Sequence, residues 1–72
     1  MTIGEQRVRL DFNPSGNELV FKIKRLSADL IDVCADHKNE DTSTAEKARH
    51  WSLAMTSYEE ACQWAVKAAT SE

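Results

Sequence analysis

Glycine and proline are scarce in this sequence, 2 Gly and 1 Pro in 72 residues, so little interrupts long regular elements. The two cysteines, Cys34 and Cys62, are too few for a disulfide framework and point to a reduced, cytosolic setting. No apolar run approaches the ~18 residues that a membrane span requires, and residues 1–9 lack the apolar centre of a signal peptide. A glycine-rich phosphate loop is absent as well. The length leaves room for one small helical domain over residues 1–72. What is present is a globular composition, 42% hydrophobic and 29% charged, unlike that of a disordered chain.

The net charge of −3 is unevenly spread. As far as Ser27, Arg7, Arg9, Lys22, Lys24 and Arg25 outnumber Glu5, Asp11 and Glu18; from Ala28 onward acids predominate. An acidic chain repels a long polyanion, so no DNA duplex is expected as a partner. A locally basic end can still hold a small phosphate ligand.

Val8, Leu10 and Phe12 alternate with Arg7, Arg9 and Asp11, which predicts a short extended arm over about 7–14. It ends in the turn Asn13-Pro14-Ser15-Gly16. Ser15-Gly16-Asn17-Glu18 matches a capping box. Leu19, Ile23, Leu26, Leu30 and Val33 follow in steps of four and three, with Val20, Ser27, Ile31 and Cys34 beside them. This predicts a helix over about 16–37. A polar connection through His37-Lys38-Asn39-Glu40-Asp41-Thr42 leads to a second box, Ser43-Thr44-Ala45-Glu46. Ala48, Trp51, Met55, Tyr58, Cys62, Ala65 and Ala69 then predict a helix over about 44–69.

A connection this short makes the helices antiparallel. The expected fold is all-α: an antiparallel two-helix hairpin with a short N-terminal extended arm. The second helix carries a further stripe, Ala54, Ala61, Trp64 and Ala68, which one partner helix cannot cover. A hairpin of this size buries too little apolar surface by itself, so assembly into a helical homo-oligomer is expected.

Few residues carry chemistry. Cys34 and His37 have a metal-like spacing, but His50 and Cys62 lie about 18 Å apart along one helix. Glu59 and Glu60 diverge around the helix and make no acid/base pair. No metal, no cofactor and no catalysis are expected. Phe12 followed by Lys22, Lys24 and Arg25 is a different matter, since a ring beside a cation can stack a nucleobase and hold its phosphate. The plainer alternative packs Phe12 on Leu19 or Val20 and leaves the lysines as a solvated face. Arg49 stands near a helix N-terminus, the wrong end of the dipole for a cation. An ion pair with Glu46 or Asp41 accounts for it most simply, an anionic ligand otherwise.

Two segments carry a resemblance: Phe12-Asn13-Pro14-Ser15 with Ile23-Lys24-Arg25-Leu26-Ser27-Ala28, and Thr56-Ser57-Tyr58-Glu59-Glu60-Ala61 running into Trp64-Ala65-Val66-Lys67-Ala68-Ala69. Together they resemble the phage anti-CBASS cyclic-nucleotide sponges of the second anti-CBASS type, over about residues 8–70. The resemblance implies a homohexamer in the cytoplasm of the infected bacterial host that sequesters cyclic oligonucleotides without cleaving them. It implies that Phe12 and Lys24 clasp a cyclic dinucleotide between protomers. Phe12 stands where the family often has tyrosine, which keeps stacking but loses a hydroxyl contact. For cyclic trinucleotides it implies Arg49, with Ser27 as the nearest match to a hydroxyl on the first helix. The competing expectation is a small phage protein-interaction module with no nucleotide ligand, gripping its partner through the Trp64 stripe.

Overall fold

The structure, a computed structural model, describes residues 1–40 and 44–71. It consists of three helices: α1 (Ile3–Val8), α2 (Glu18–Lys38) and α3 (Ala45–Ala69). α2 and α3 form the antiparallel hairpin. His37 near the end of α2 meets Trp51 near the start of α3, with ring centroids 5.4 Å apart. At the other end, Lys24 and Val66 line the same hollow.

The extended arm expected over 7–14 is replaced by the end of α1 and a pair of turns, and no strand occurs among the described residues. The cause is a capping box in Thr2-Ile3-Gly4-Glu5. The Thr2 hydroxyl accepts from the Glu5 amide at 3.1 Å, and the Glu5 carboxylate accepts from the Thr2 amide at 2.8 Å. α1 closes through Arg9, whose φ of 56° is left-handed. The Leu10 amide donates to the Glu5 carbonyl and the Arg9 amide to the Gln6 carbonyl, a Schellman closure. A further turn, with the Phe12 amide on the Arg9 carbonyl at 2.9 Å, carries Phe12 away from the helix. The alternation of Val8, Leu10 and Phe12 therefore records a helix end and a turn.

The boxes expected at the longer helices also shift. Asn17 is the cap of α2, accepting from the amides of Leu19 and Val20, and Asn13 braces it across the turn by donating to the Asn17 carbonyl at 2.8 Å. Ser15 plays no part in that cap. Thr44 caps α3 by accepting from the Lys47 amide at 3.1 Å. Ser43 lies outside the described residues.

On α3 the expected stripe faces inward, with Met55 and Cys62 buried and Trp51 packed against the core. On α2 the side line is the inner one. Val20, Ile31 and Cys34 are buried, whereas Leu19, Leu26, Leu30 and Val33 are 46–56% exposed. α1 is the reason: it packs on α2 at Ala28, so the buried face of α2 must serve two neighbours, and Ala28 and Ala35 are small enough to allow it. A Cβ on Gly4 would overlap the Ala28 carbonyl oxygen and come within 2.8 Å of the Asp32 carboxylate, so only glycine permits this approach.

The fold is long and thin, 45 × 21 × 12 Å, with a radius of gyration of 13.4 Å. A compact chain of this length would measure about 11 Å. Its accessible surface of 5124 Å² exceeds the roughly 4,500 Å² of a compact monomer of this mass.

Candidate functional site

α1 is fastened less by apolar burial than by polar ties. Val8 alone of its larger side chains is buried. The Gly4 amide, one of the unpaired donors of the helix start, donates to Asp32 at 2.7 Å. Arg25 donates to Glu5 at 2.6 Å and also pairs with Asp29; Arg7 pairs with Glu59 of α3 at 2.9 Å. The hydrogen bond from Arg25 holds the Glu5 carboxyl below its ordinary range, helped by the Thr2 amide. The same contact, with Asp29 second, raises Arg25.

Lys24 makes the last tie. Its ammonium donates to the Arg9 carbonyl at 2.9 Å and to the Phe12 carbonyl. The residue is 6% exposed, so it is the buried counter-charge of the turn and not a solvated lysine. Two of its three N–H donors are thereby engaged, and one is left. Phe12, in contrast, is 57% exposed. The Lys24 ammonium lies 5.6 Å from its ring centroid, and the Arg9 guanidinium 4.9 Å. An open ring with two cations within ~6 Å of its centroid, in a hollow of about 260 Å³ that it shares with Lys24, Val20 and Val66, can accept a flat, anionic ligand.

A family model described as Acb2/Tad1, hairpin domain, matches residues 2–70. The chain belongs to this family. It is the family of the anti-CBASS sponges, proteins that bind and do not catalyse. Neither a curated protein nor a solved structure matches the chain. In this Acb2/Tad1 hairpin, then, Phe12 and Lys24 are neighbours within one subunit, twelve residues apart in sequence but joined by a hydrogen bond. The expected pair thus lies side by side, whereas the burial of Lys24 and the approach of Arg9 to the ring have no signal in the local pattern. The left-handed exit that brings Arg9 to the ring forms at the other end of α1, where the Arg9 and Leu10 amides close on the Gln6 and Glu5 carbonyls.

The other two expected residues are not brought together. Ser27 is half-buried on α2. Arg49 is exposed at the start of α3, ion-paired with Glu46 at 2.9 Å, and Glu46 also meets His50 at 3.0 Å. With His37 opposite Trp51, Arg49 faces the end of α2, roughly 18 Å along the axis from Ser27 at ~1.5 Å per residue. Asp41, the other expected acid, lies outside the described residues. Both cysteines are buried in the core, and among the described residues no three metal-binding side chains are grouped. No described helix is long and apolar enough to cross a membrane.

Proposed function

We propose that the protein sequesters cyclic oligonucleotide second messengers without cleaving them, cyclic dinucleotides first, and so blocks CBASS-type signalling in the cytoplasm of an infected bacterium. Besides the family, one observation carries this reading: Phe12 is open to solvent and flanked by the cations of Lys24 and Arg9. Phe12 borders two open hollows, about 260 Å³ on the side of Lys24 and about 380 Å³ on the side of Arg9, at the small end of the ~300–1,000 Å³ of pockets that enclose small ligands. One subunit therefore supplies half a site.

A second copy supplies the other half. The line Leu19, Leu26, Leu30 and Val33 leaves α2 with a naked apolar stripe along its length, which favours self-association, in a hexamer as the resemblance implies. A twofold-related pair of Phe12 rings and Lys24 ammoniums matches the two bases and two phosphates of a cyclic dinucleotide. Cyclic trinucleotides are assigned to Arg49 and Ser27, and at their separation the two residues must come from different subunits.

Calorimetry with a panel of cyclic di- and trinucleotides tests the proposal, followed by heating the complex and chromatography of what is released. Intact ligand is expected, and linear product would mean a phosphodiesterase. Phe12→Ala removes the platform without touching the core. A stacked base is worth ~1–3 kcal/mol, so dinucleotide affinity should fall about tenfold or more. Absence of binding to every nucleotide would favour the interaction module, for which Trp64, 62% exposed on α3, is the supporting observation.

A further inference from the structure

We infer that Arg9 grips phosphate at the Phe12 site alongside Lys24, an inference that rests on the proposed nucleotide binding. The chain has four arginines, and three spend their guanidinium on carboxylates: Arg7 on Glu59, Arg25 on Glu5 and Asp29, Arg49 on Glu46. Among the described residues, Arg9 alone of the four makes no ion pair. It is exposed, and its side chain lies over the Phe12 ring at 4.9 Å. Asp11 lines the same shallow hollow as Arg9 and Phe12, without pairing with Arg9 among the described residues.

Lys24, matched to the phosphates above, has one donor left for them. It is buried and has given two of its three donors to the carbonyls of Arg9 and Phe12. The guanidinium of Arg9 keeps its full planar fork of five donors, the geometry that meets a phosphate through two parallel hydrogen bonds. The backbone gives a second reason. Arg9 occupies a left-handed conformation, φ 56°, in which glycine or asparagine is at home and a long side chain is not. A glycine there would complete the Schellman turn more comfortably, so arginine is a poor choice for folding alone. The exit turn carries that side chain over the exposed ring, with the Lys24 ammonium 5.6 Å from the same centroid, and places an exposed bidentate cation next to a stacking platform.

Because left-handed backbone favours both replacements, Arg9→Gly and Arg9→Asn separate binding from folding. The probes are cyclic di-AMP, cyclic di-GMP and 3′,3′-cyclic GMP–AMP, measured by calorimetry on the full chain across a salt series. Both variants should keep the parent's helix content and thermal midpoint, bind at least tenfold more weakly, and show a shallower dependence of affinity on salt. Parental affinity in either variant overturns the inference. So does a midpoint that falls together with affinity in both, because the guanidinium would then be holding Phe12 and not the ligand. A parent protein that binds none of the three probes is a failure of the proposed function instead, and is read from the unsubstituted chain before any variant is made.

Discussion

α1 and α3 both pack against α2, but by different physics. The α2–α3 seam is apolar, built around Ile31, Cys34, Met55 and Cys62. α1 contributes Val8 and a bare glycine surface to that core, and otherwise holds on through Asp32, Arg25, Glu59 and Lys24. An apolar seam is indifferent to pH and tolerates any side chain of suitable shape, whereas a polar clip needs each charge in place. Phe12 and Arg9 follow directly from α1, so the candidate ligand platform hangs on the clip and not on the seam.

The largest effect should come from the seam. Ile31 is fully buried, and Ile31→Ala should lower the stability of the whole fold by about 3 kcal/mol. Urea unfolding followed by helix content, at one fixed protein concentration, measures it. Loss of less than ~1 kcal/mol would mean that the two helices are held elsewhere.

Gly4→Ala strikes the clip in place of the seam. The added methyl meets the Ala28 carbonyl and Asp32, and overpacking of this kind costs about 1–3 kcal/mol. The cost should fall on α1 alone: its amides lose hydrogen-exchange protection while those around Met55 and Cys62 keep theirs. Equal loss in both regions would show that clip and seam are one cooperative unit.

The smallest effect is that of pH. The Glu5 carboxyl is held below its ordinary value of 4.5 by Arg25, so its contribution is fully present above that value. It is lost as pH falls through the lowered value. Amide protection in α1 should thus weaken on acidification below about pH 4.5 before that of the seam does, and Glu5→Gln should reduce this difference. Coincident loss in the two regions would remove Arg25–Glu5 from the clip.

Much of the hairpin was legible in sequence because α3 repeats its apolar spacing over three heptads, and a long period leaves little choice of face. α2 was harder. It carries two adjacent apolar lines, Leu19-Leu26-Leu30-Val33 and Val20-Ser27-Ile31-Cys34, and periodicity cannot rank them. The presence of α1 decided it by demanding the side with Ala28 and Ala35. α1 itself, at six residues, is too short to persist in isolation, and exists because its ends are capped and its charges answered from α2 and α3. An alternation of Val8, Leu10 and Phe12 says nothing of those distant partners.

For the candidate site the division is similar. Phe12 and the cluster of nearby cations stood out in composition and order. That Lys24 is buried under two carbonyls while Arg9 stays open depends on where a turn and a helix meet in space.

Local chemistry thus determined where the two long helices lie, through Asn17, Thr44 and the period of their apolar residues, because caps and helix faces involve neighbours within four positions. Only the tertiary structure decided which side of α2 is hidden and which cation reaches Phe12. Those outcomes turn on a glycine that lets two backbones touch and on ion pairs spanning twenty to fifty-two residues, contacts no local pattern encodes.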